Sequence, residues 1–177
     1  MDSIHHNALL RLRAVEPSDL NALYRWENEQ EIWTYGTLHQ PVSRESLRQY
    51  IADSIVGDIY SQHQLRLMGE NAEGTLVGCV DLFDFDAYHH RAAVGIVVDG
   101  ALRHRGYGTA LLAALHSYAV AHLQLHLLYS IVAADNEASL QLFQGAGYDC
   151  CGHLKDYIWD GTRWQDAVML QHLFQDR

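Results

Sequence analysis

The sequence predicts an α/β chain with a mixed, mostly antiparallel central sheet of about seven strands flanked by about four helices. Three observations carry this. Residues 64–96 hold short apolar runs separated by Gly-Glu-Asn-Ala-Glu-Gly and Asp-Ala-Tyr-His-His-Arg, the pattern of an antiparallel meander. Residues 106–122 repeat apolar side chains at helical spacing between two apolar runs, which makes a parallel strand–helix–strand unit. Near the end, Asp160-Gly161 separates two further runs as a hairpin turn.

The elements follow in order. Leu10, Leu12 and Ala14 alternate with Arg11, Arg13 and Val15 as a first strand, and Pro17-Ser18-Asp19 starts a helix over 18–28. Leu47, Tyr50, Ile51 and Ile55 give a second helix from Ser43 to Ile55. The meander strands are Leu65-Arg66-Leu67, Leu76 to Leu82 and Ala92 to Val98. Leu111, Leu112, Leu115, Tyr118 and Ala119 form the apolar face of a helix from Gly106 to His122, followed by a strand from His126 to Val132. Asn136 to Gly145 reads as a helix, and Tyr148–Asp156 and Trp164–Phe174 as the closing strands.

At 177 residues, with no repeat, low-complexity tract or Pro/Ser/Gly linker, the chain is expected to form one domain over 1–177. Asp and Glu number 22 against 12 Lys and Arg, a net charge of -10 that argues against a nucleic-acid or anionic-membrane partner and favours a cationic one. Cys79, Cys150 and Cys151 imply no disulfide framework, and the N-terminus carries an acid where a signal peptide wants Lys or Arg, so a cytoplasmic location is expected. Residues 106–134 carry no formal charge, but His116, Ser117, His122, Gln124 and His126 interrupt them, which suits a core helix running into a strand better than a membrane span.

Chemistry concentrates in Arg103-His104-Arg105-Gly106-Tyr107-Gly108-Thr109, an R-x-x-G-x-G segment between a buried strand and a long helix. Glycines at a helix N-terminus let successive backbone N–H groups approach a phosphate, the helix dipole favours negative charge there, and two arginines add attraction. The same glycines also suit a tight strand-to-helix turn. Leu111 stands where a dinucleotide fingerprint needs its third glycine, and no G-K-[ST] follows for a P-loop. In the second segment, Asp135 to Tyr148, Asn136 reads as a helix N-cap and Gly145 or Gly147 as the C-terminal stop.

The order of elements and these two segments resemble the GNAT superfamily of acyl-CoA-dependent N-acetyltransferases, over nearly the whole chain from Leu10 to Phe174. The resemblance implies a GNAT-like fold and acetyl-CoA as acyl donor, without a metal. It implies that Arg103, Gly106 and Gly108 bind the coenzyme pyrophosphate, with His104, Arg105, Tyr107 and Thr109 alongside. Asn136 would lie near the pantetheine arm, and Val98, Ser139 and Phe143 complete the expected coenzyme site. A backbone N–H near the end of the Ala92–Val98 strand would hold the oxyanion. Within the superfamily, Leu76-Val77-Gly78, the Tyr88-His89-His90-Arg91-Ala92 turn and the Trp159-Asp160-Gly161 hairpin resemble the branch of bacterial spermidine N-acetyltransferases and ribosomal-protein alanine N-acetyltransferases.

Two positions depart from that pattern. Phe143 stands where many relatives carry a tyrosine general acid, and Ala93 where they carry a glutamate on the fourth strand. A thiol with a pKa of ~8.5 leaves as thiolate at pH 7 for only ~2 kcal/mol, so loss of the acid is tolerable. A lysine-like amine with a pKa of ~10.4 is neutral in roughly 1 molecule in 2500, so its proton needs a base. Glu27, Glu29, Glu31 and Asp81 are candidates by their place on the acceptor side in the family, each also readable as a solvated acid. Ser139 is a further candidate catalytic group. His122-x-x-x-His126 has metal-ligand spacing but straddles a helix end with no third ligand, and Cys150-Cys151 reads as packing.

The expected activity is therefore direct acetyl transfer from acetyl-CoA to a primary amine, a polyamine or other small cationic amine. A protein N-terminus is the alternative acceptor, and a catalytically reduced CoA-binding regulatory module the alternative class. A homodimer is compatible with this reading.

Overall fold

The computed structural model describes residues 5–6, 9–29 and 40–174. In chain order the elements are β1 (His5–His6), β2 (Leu10–Ala14), α1 (Leu20–Glu27), α2 (Arg44–Val56), α3 (Ile59–Gln62), β3 (Leu65–Asn71), β4 (Leu76–Asp86), β5 (Arg91–Val98), α4 (Tyr107–Leu123), β6 (Leu127–Ala133), α5 (Glu137–Gly145), β7 (Asp149–Trp159) and β8 (Trp164–Leu173), with 3-10 turns at Pro17–Asp19 and Gly100–Leu102. All strands join one sheet of order β1-β2-β3-β4-β5-β6-β8-β7. Every neighbouring pair is antiparallel except β5 and β6.

Each of the seven expected strands is present, and the structure adds elements and lengthens others. The two-residue β1 adds an eighth strand, pairing His5 with Leu12 and His6 with Arg11. Helix α3 is a single turn fixed by Asp58, whose side chain accepts from Ser61 N at 2.8 Å, and such a short helix has no periodicity to read. The closing hairpin has a four-residue loop, not a two-residue turn: Trp159 pairs with Trp164, and Asp160 Oδ1 accepts from the N–H groups of Thr162 and Arg163 at 2.8 and 2.9 Å. A side chain that takes over backbone hydrogen bonding lengthens the loop beyond what the Asp-Gly dipeptide specifies.

Strand β4 also outruns its expected end by four residues, because a bulge keeps it in the sheet. Phe83 pairs with Ala93 and Asp86 with Arg91, so one extra residue is accommodated between them. Asp84 takes it up with φ 49, a left-handed conformation that aspartate tolerates better than most residues. Leu82 and Phe85 on either side are buried, whereas Phe83 and Asp84 are both exposed.

One face of the sheet packs under α4. Leu67, Val80, Leu82, Val94, Leu111, Leu115 and Leu128 belong to that cluster, with Phe143 and Tyr148 at its α5 end. The opposite face carries a smaller cluster beneath α1 and α2, with Leu23, Trp26, Leu47, Ile51, Met68 and Cys79. Among the described residues no helix is long and apolar enough to cross a membrane.

The feature that positions the site is the junction of β5 and β6. They pair only at Arg91–Leu127, Ala92–Leu128 and Ala93–Tyr129. Beyond that point β5 stays with β4 to Val98, and β6 stays with β8 to Ala133. The two strands splay and leave a gap between their C-terminal halves.

Candidate active site

Because β5 and β6 are parallel, both carboxyl ends point the same way, and each leads into a helix N-terminus. Ligands in α/β sheets sit in such a crevice outside parallel strand ends. On the β5 side, Asp99 fixes the exit: its carboxylate accepts from Ala101 N at 3.0 Å, from Trp26 Nε1 at 2.9 Å and from Arg25. Burial alone would raise the Asp99 carboxyl, but these hydrogen bonds overcome it and hold the group below its ordinary value. The start of the Arg103–Gly106 loop is thus anchored to α1.

His104 and Gly106 then both adopt positive φ, 60° and 82°. Gly106 is the N-cap of α4 and no side chain caps that helix. The first N–H groups of α4 have no partner within the helix, and successive amides in such a loop form an anion-binding concavity. A Cβ on Gly108 would sit 3.1 Å from both Leu142 methyls and 3.6 Å from Val98 Cγ2, so this glycine lets α4 lie directly against α5 and the end of β5. Val98 and Gly108 therefore meet, as expected for one site.

Arg103 donates from Nε to Val98 O at 3.4 Å and faces Glu29 at 3.6 Å. Arg105 and Thr109 are exposed beside the helix start, and Tyr107 is half-buried against the α4 cluster. An uncapped helix N-terminus, a loop free of Cβ obstruction and an exposed arginine fit the diphosphate of a coenzyme.

On the β6 side, Asn136 caps α5 by accepting from Ser139 N at 3.1 Å, and Ser139 is half-buried in the first turn. Phe143, further along α5, is only 2% exposed, its ring packed edge-on against Tyr148 at 5.0 Å. The spacing along α5 turns residue 143 toward the core. The Tyr148 hydroxyl meets His116 Nε2 at 3.1 Å, and burial pushes the phenol well above its ordinary value.

The three candidate bases among the described residues are each engaged by a guanidinium. Asp81 receives Arg66 Nε at 2.6 Å and Nη2 at 2.8 Å, while Glu27 receives Arg66 Nη1 at 2.5 Å. The Tyr50 ring covers the Arg66 guanidinium, 5.4 Å from its centroid. Beneath them burial pushes the Cys79 thiol up to about 12, which keeps it protonated. Glu29 pairs with Arg103, as above, and Glu31 lies outside the described residues. Asp81 is nonetheless well placed: its Oδ2 would lie 3.8 Å from a Cβ on Gly95, in the splayed half of β5. Among the described residues no three His, Cys, Asp or Glu side chains converge as a metal-binding group.

Sequence reasoning passed over Arg66, Asp99 and Trp26. A lone arginine in Leu65-Arg66-Leu67 was a signal, since an alternating strand places it on one face beside the next strand's acid.

The acetyltransferase (GNAT) domain family matches residues 10–149. The chain is 26% identical to the spermidine N(1)-acetyltransferase of Vibrio cholerae serotype O1 over 166 residues, which span 91% of each protein. It is similar to the crystal structure of the Vibrio cholerae spermidine N-acetyltransferase in complex with CoA and spermine, with a TM-score of 0.85, 26% identity, and coverage of 94% of this chain and 96% of that one. A dodecameric structure of the Vibrio cholerae enzyme in an intermediate state gives a TM-score of 0.80 at 25% identity, covering 94% and 95%. Since the family match runs unbroken through β5, the Arg103–Gly108 loop, α4 and α5, this chain belongs to the GNAT acetyltransferases, and acetyl-CoA is its acyl donor.

Proposed function

We propose that the chain acetylates a polyamine or another small cationic amine, acting in the cytoplasm as one domain over 1–177 and assembling as a homo-oligomer of at least two copies. The observation that carries the acceptor is the likeness to the Vibrio cholerae spermidine acetyltransferase across 91% of both chains. An excess of acids agrees with it, because an anionic protein draws in cations. The dodecameric relative supports an oligomer.

In this reading Arg103, Arg105 and the amides of Gly106, Tyr107, Gly108 and Thr109 hold the coenzyme diphosphate, with His104 shaping the loop. Asn136 and Ser139 border the pantetheine arm and Val98 closes the end of β5. The unpaired edge of β5 offers an N–H to the developing oxyanion. Asp81, held by Arg66, takes the amine proton through a bridging water, which passes its own proton to the carboxylate, and Glu29 and Glu31 add negative charge on the acceptor side. Ser139 is the remaining hydroxyl on α5 able to donate to the leaving sulfur.

The test is thiol release from acetyl-CoA across spermidine, spermine, 1,4-diaminobutane, aminoglycosides, amino acids and peptide N-termini. Turnover highest with the aliphatic polyamines is the expected result. Preference for peptide N-termini would replace the acceptor, and CoA binding with no thiol release from any amine would make the chain a regulatory module.

A further inference from the structure

The donor site makes no use of Arg66, the β3 cation on which three other elements converge. Its side chain is only 14% exposed and meets β4 through Asp81, α1 through Glu27 and α2 through the Tyr50 ring. Nε and Nη2 form a fork on Asp81, one to each oxygen, at 2.6 and 2.8 Å, and Nη1 reaches Glu27 Oε1 at 2.5 Å. A lysine ammonium could neutralise the same two acids, but only a planar guanidinium fixes both oxygens of one carboxylate and holds a second at the same time.

The fork sets the direction of the Asp81 carboxylate. The terminal torsion of an aspartate is broad, so an unheld carboxylate would sweep a wide arc. Held by Arg66, it keeps Oδ2 on the side of its β5 partner Gly95, 3.8 Å from the place of a Cβ there. Gly95 lies beyond Ala93, the last residue of β5 that pairs with β6, and so in the splay. A carboxylate has about four lone-pair sites, of which the fork takes one on each oxygen, and Oδ2 keeps another for a water. Asp81 is also the least covered of the three charged groups, 21% exposed against 14% for Arg66 and Glu27. Glu27, the last residue of α1, and Tyr50, whose ring centroid lies 5.4 Å from Arg66 Cζ, fix the guanidinium plane from the other sides.

We infer that Arg66, seated by Glu27 and Tyr50, is a positioning residue for acetyl transfer: it holds Oδ2 of Asp81 toward the splay, where the carboxylate takes up the acceptor's proton. This deepens the proposed function and rests on Asp81 as its base. The ammonium loses a proton to the bridging water, the water passes one of its own to Oδ2, and the freed nitrogen lone pair attacks the acetyl carbon. Arg66 touches neither acetyl-CoA nor the amine, so its effect falls on the proton transfer and not on binding of the donor.

The test separates positioning from stability with Arg66→Lys, Glu27→Gln and Glu70→Gln. Arg66→Lys keeps a cation between the two acids and loses the fork. Glu70→Gln breaks a guanidinium–carboxylate pair of the same kind, to Arg13 Nε at 2.7 Å, away from the splay. Steady-state kcat and KM are measured at pH 7 with 1,4-diaminobutane and with 1-aminooxy-3-aminopropane, in which one methylene is an oxygen. The aminooxy nitrogen is neutral at that pH and has no proton to lose before it attacks, and mass spectrometry identifies its acetylation. Arg66→Lys should lower kcat for the diamine about tenfold or more, leave KM for acetyl-CoA unchanged, and slow the aminooxy nitrogen no more than about twofold. Glu27→Gln should act in the same direction by about threefold, and Glu70→Gln should leave both rates unchanged. An unchanged diamine kcat in Arg66→Lys, an equal loss at both kinds of nitrogen, or the same loss in Glu70→Gln overturns the positioning role while the polyamine reading stands. Full turnover in Asp81→Asn shows that the base itself was wrongly assigned, and the role of Arg66 falls with it. If the unmodified protein acetylates only another class of amine, the polyamine acceptor has failed, and kcat of the same variants on that class decides the role of Arg66.

Discussion

Beneath α4 the sheet packs leucines and valines against one another, whereas the same strands, seen from α1 and α2, bury Arg66 between Glu27 and Asp81 and Arg13 between Asp19 and Glu70. Apolar packing is tolerant, since each side chain contributes on its own. A buried ion pair contributes little net stability when intact, yet its loss leaves an uncompensated charge. The sheet thus keeps its stability on one face and its chemistry on the other. The charged face tolerates gaps, small residues and a bulge that the apolar face could not.

The strongest way to break this contrast is to remove one member of each kind. Arg66→Leu should cost about 3–5 kcal/mol at pH 7, because Glu27 and Asp81 lose their shared cation. Leu111→Ala, at the centre of the α4 cluster, should cost about 2–5 kcal/mol through its cavity. Urea unfolding of a triple variant tells them apart: adding Glu27→Gln and Asp81→Asn should recover most of the Arg66→Leu loss, because no uncompensated charge remains, and should recover none of the Leu111→Ala loss. An Arg66→Leu penalty that persists in the triple variant would remove the distinction.

A second measurement sharpens the comparison, since the α4 side holds a half-buried histidine. His116 stacks on His172 at 4.4 Å, and burial, aided by His172, lowers it to about 4. The folded state keeps it neutral while the unfolded chain binds a proton below pH ~6.5. Its contribution is therefore complete above pH 6.5 and is lost as pH falls toward 4, at most about 3 kcal/mol given its partial exposure. Thermal melts should show this decline, and His116→Gln should flatten it. An unchanged acid limb in that variant would assign the decline to the carboxylates of the opposite face.

The smallest effect concerns rate. Phe143→Tyr restores the family's hydroxyl, but on a ring that is buried against Tyr148, so kcat should change by no more than a few-fold. The unmodified protein should gain activity with pH toward the amine pKa of ~10.4, with no early alkaline fall. Rescue of an inactive protein by Phe143→Tyr would show that an acid is indispensable.

Legibility in the sequence follows the same division. Seven strands, α4 and α5 declare themselves through local periodicity, and the Arg103–Gly108 segment through its glycines. What local pattern could not carry is pairing between distant residues. Asp81 looks like any half-exposed acid until the fold brings Arg66 alongside it, and Glu29 until it meets Arg103. The bulge at Asp84 breaks alternation by one residue, which in a sequence looks like the end of a strand, and that is why β4 was expected to stop at Leu82. The inward turn of Phe143 depends on how α5 seats against Tyr148, a tertiary fact.

The three-pair junction of β5 and β6 also has a meaning in time as well as in space. It divides the sheet into two slabs, β2 to β5 and β6 with β8 and β7, each bound internally by longer ladders. Cooperative opening units follow such boundaries, so slow breathing of this protein concentrates at Arg91–Ala93 and Leu127–Tyr129, with each slab moving as a body. A ligand seated across the seam joins the two units into one. Its signature in amide hydrogen exchange is then protection spread through both slabs, far beyond the residues it touches.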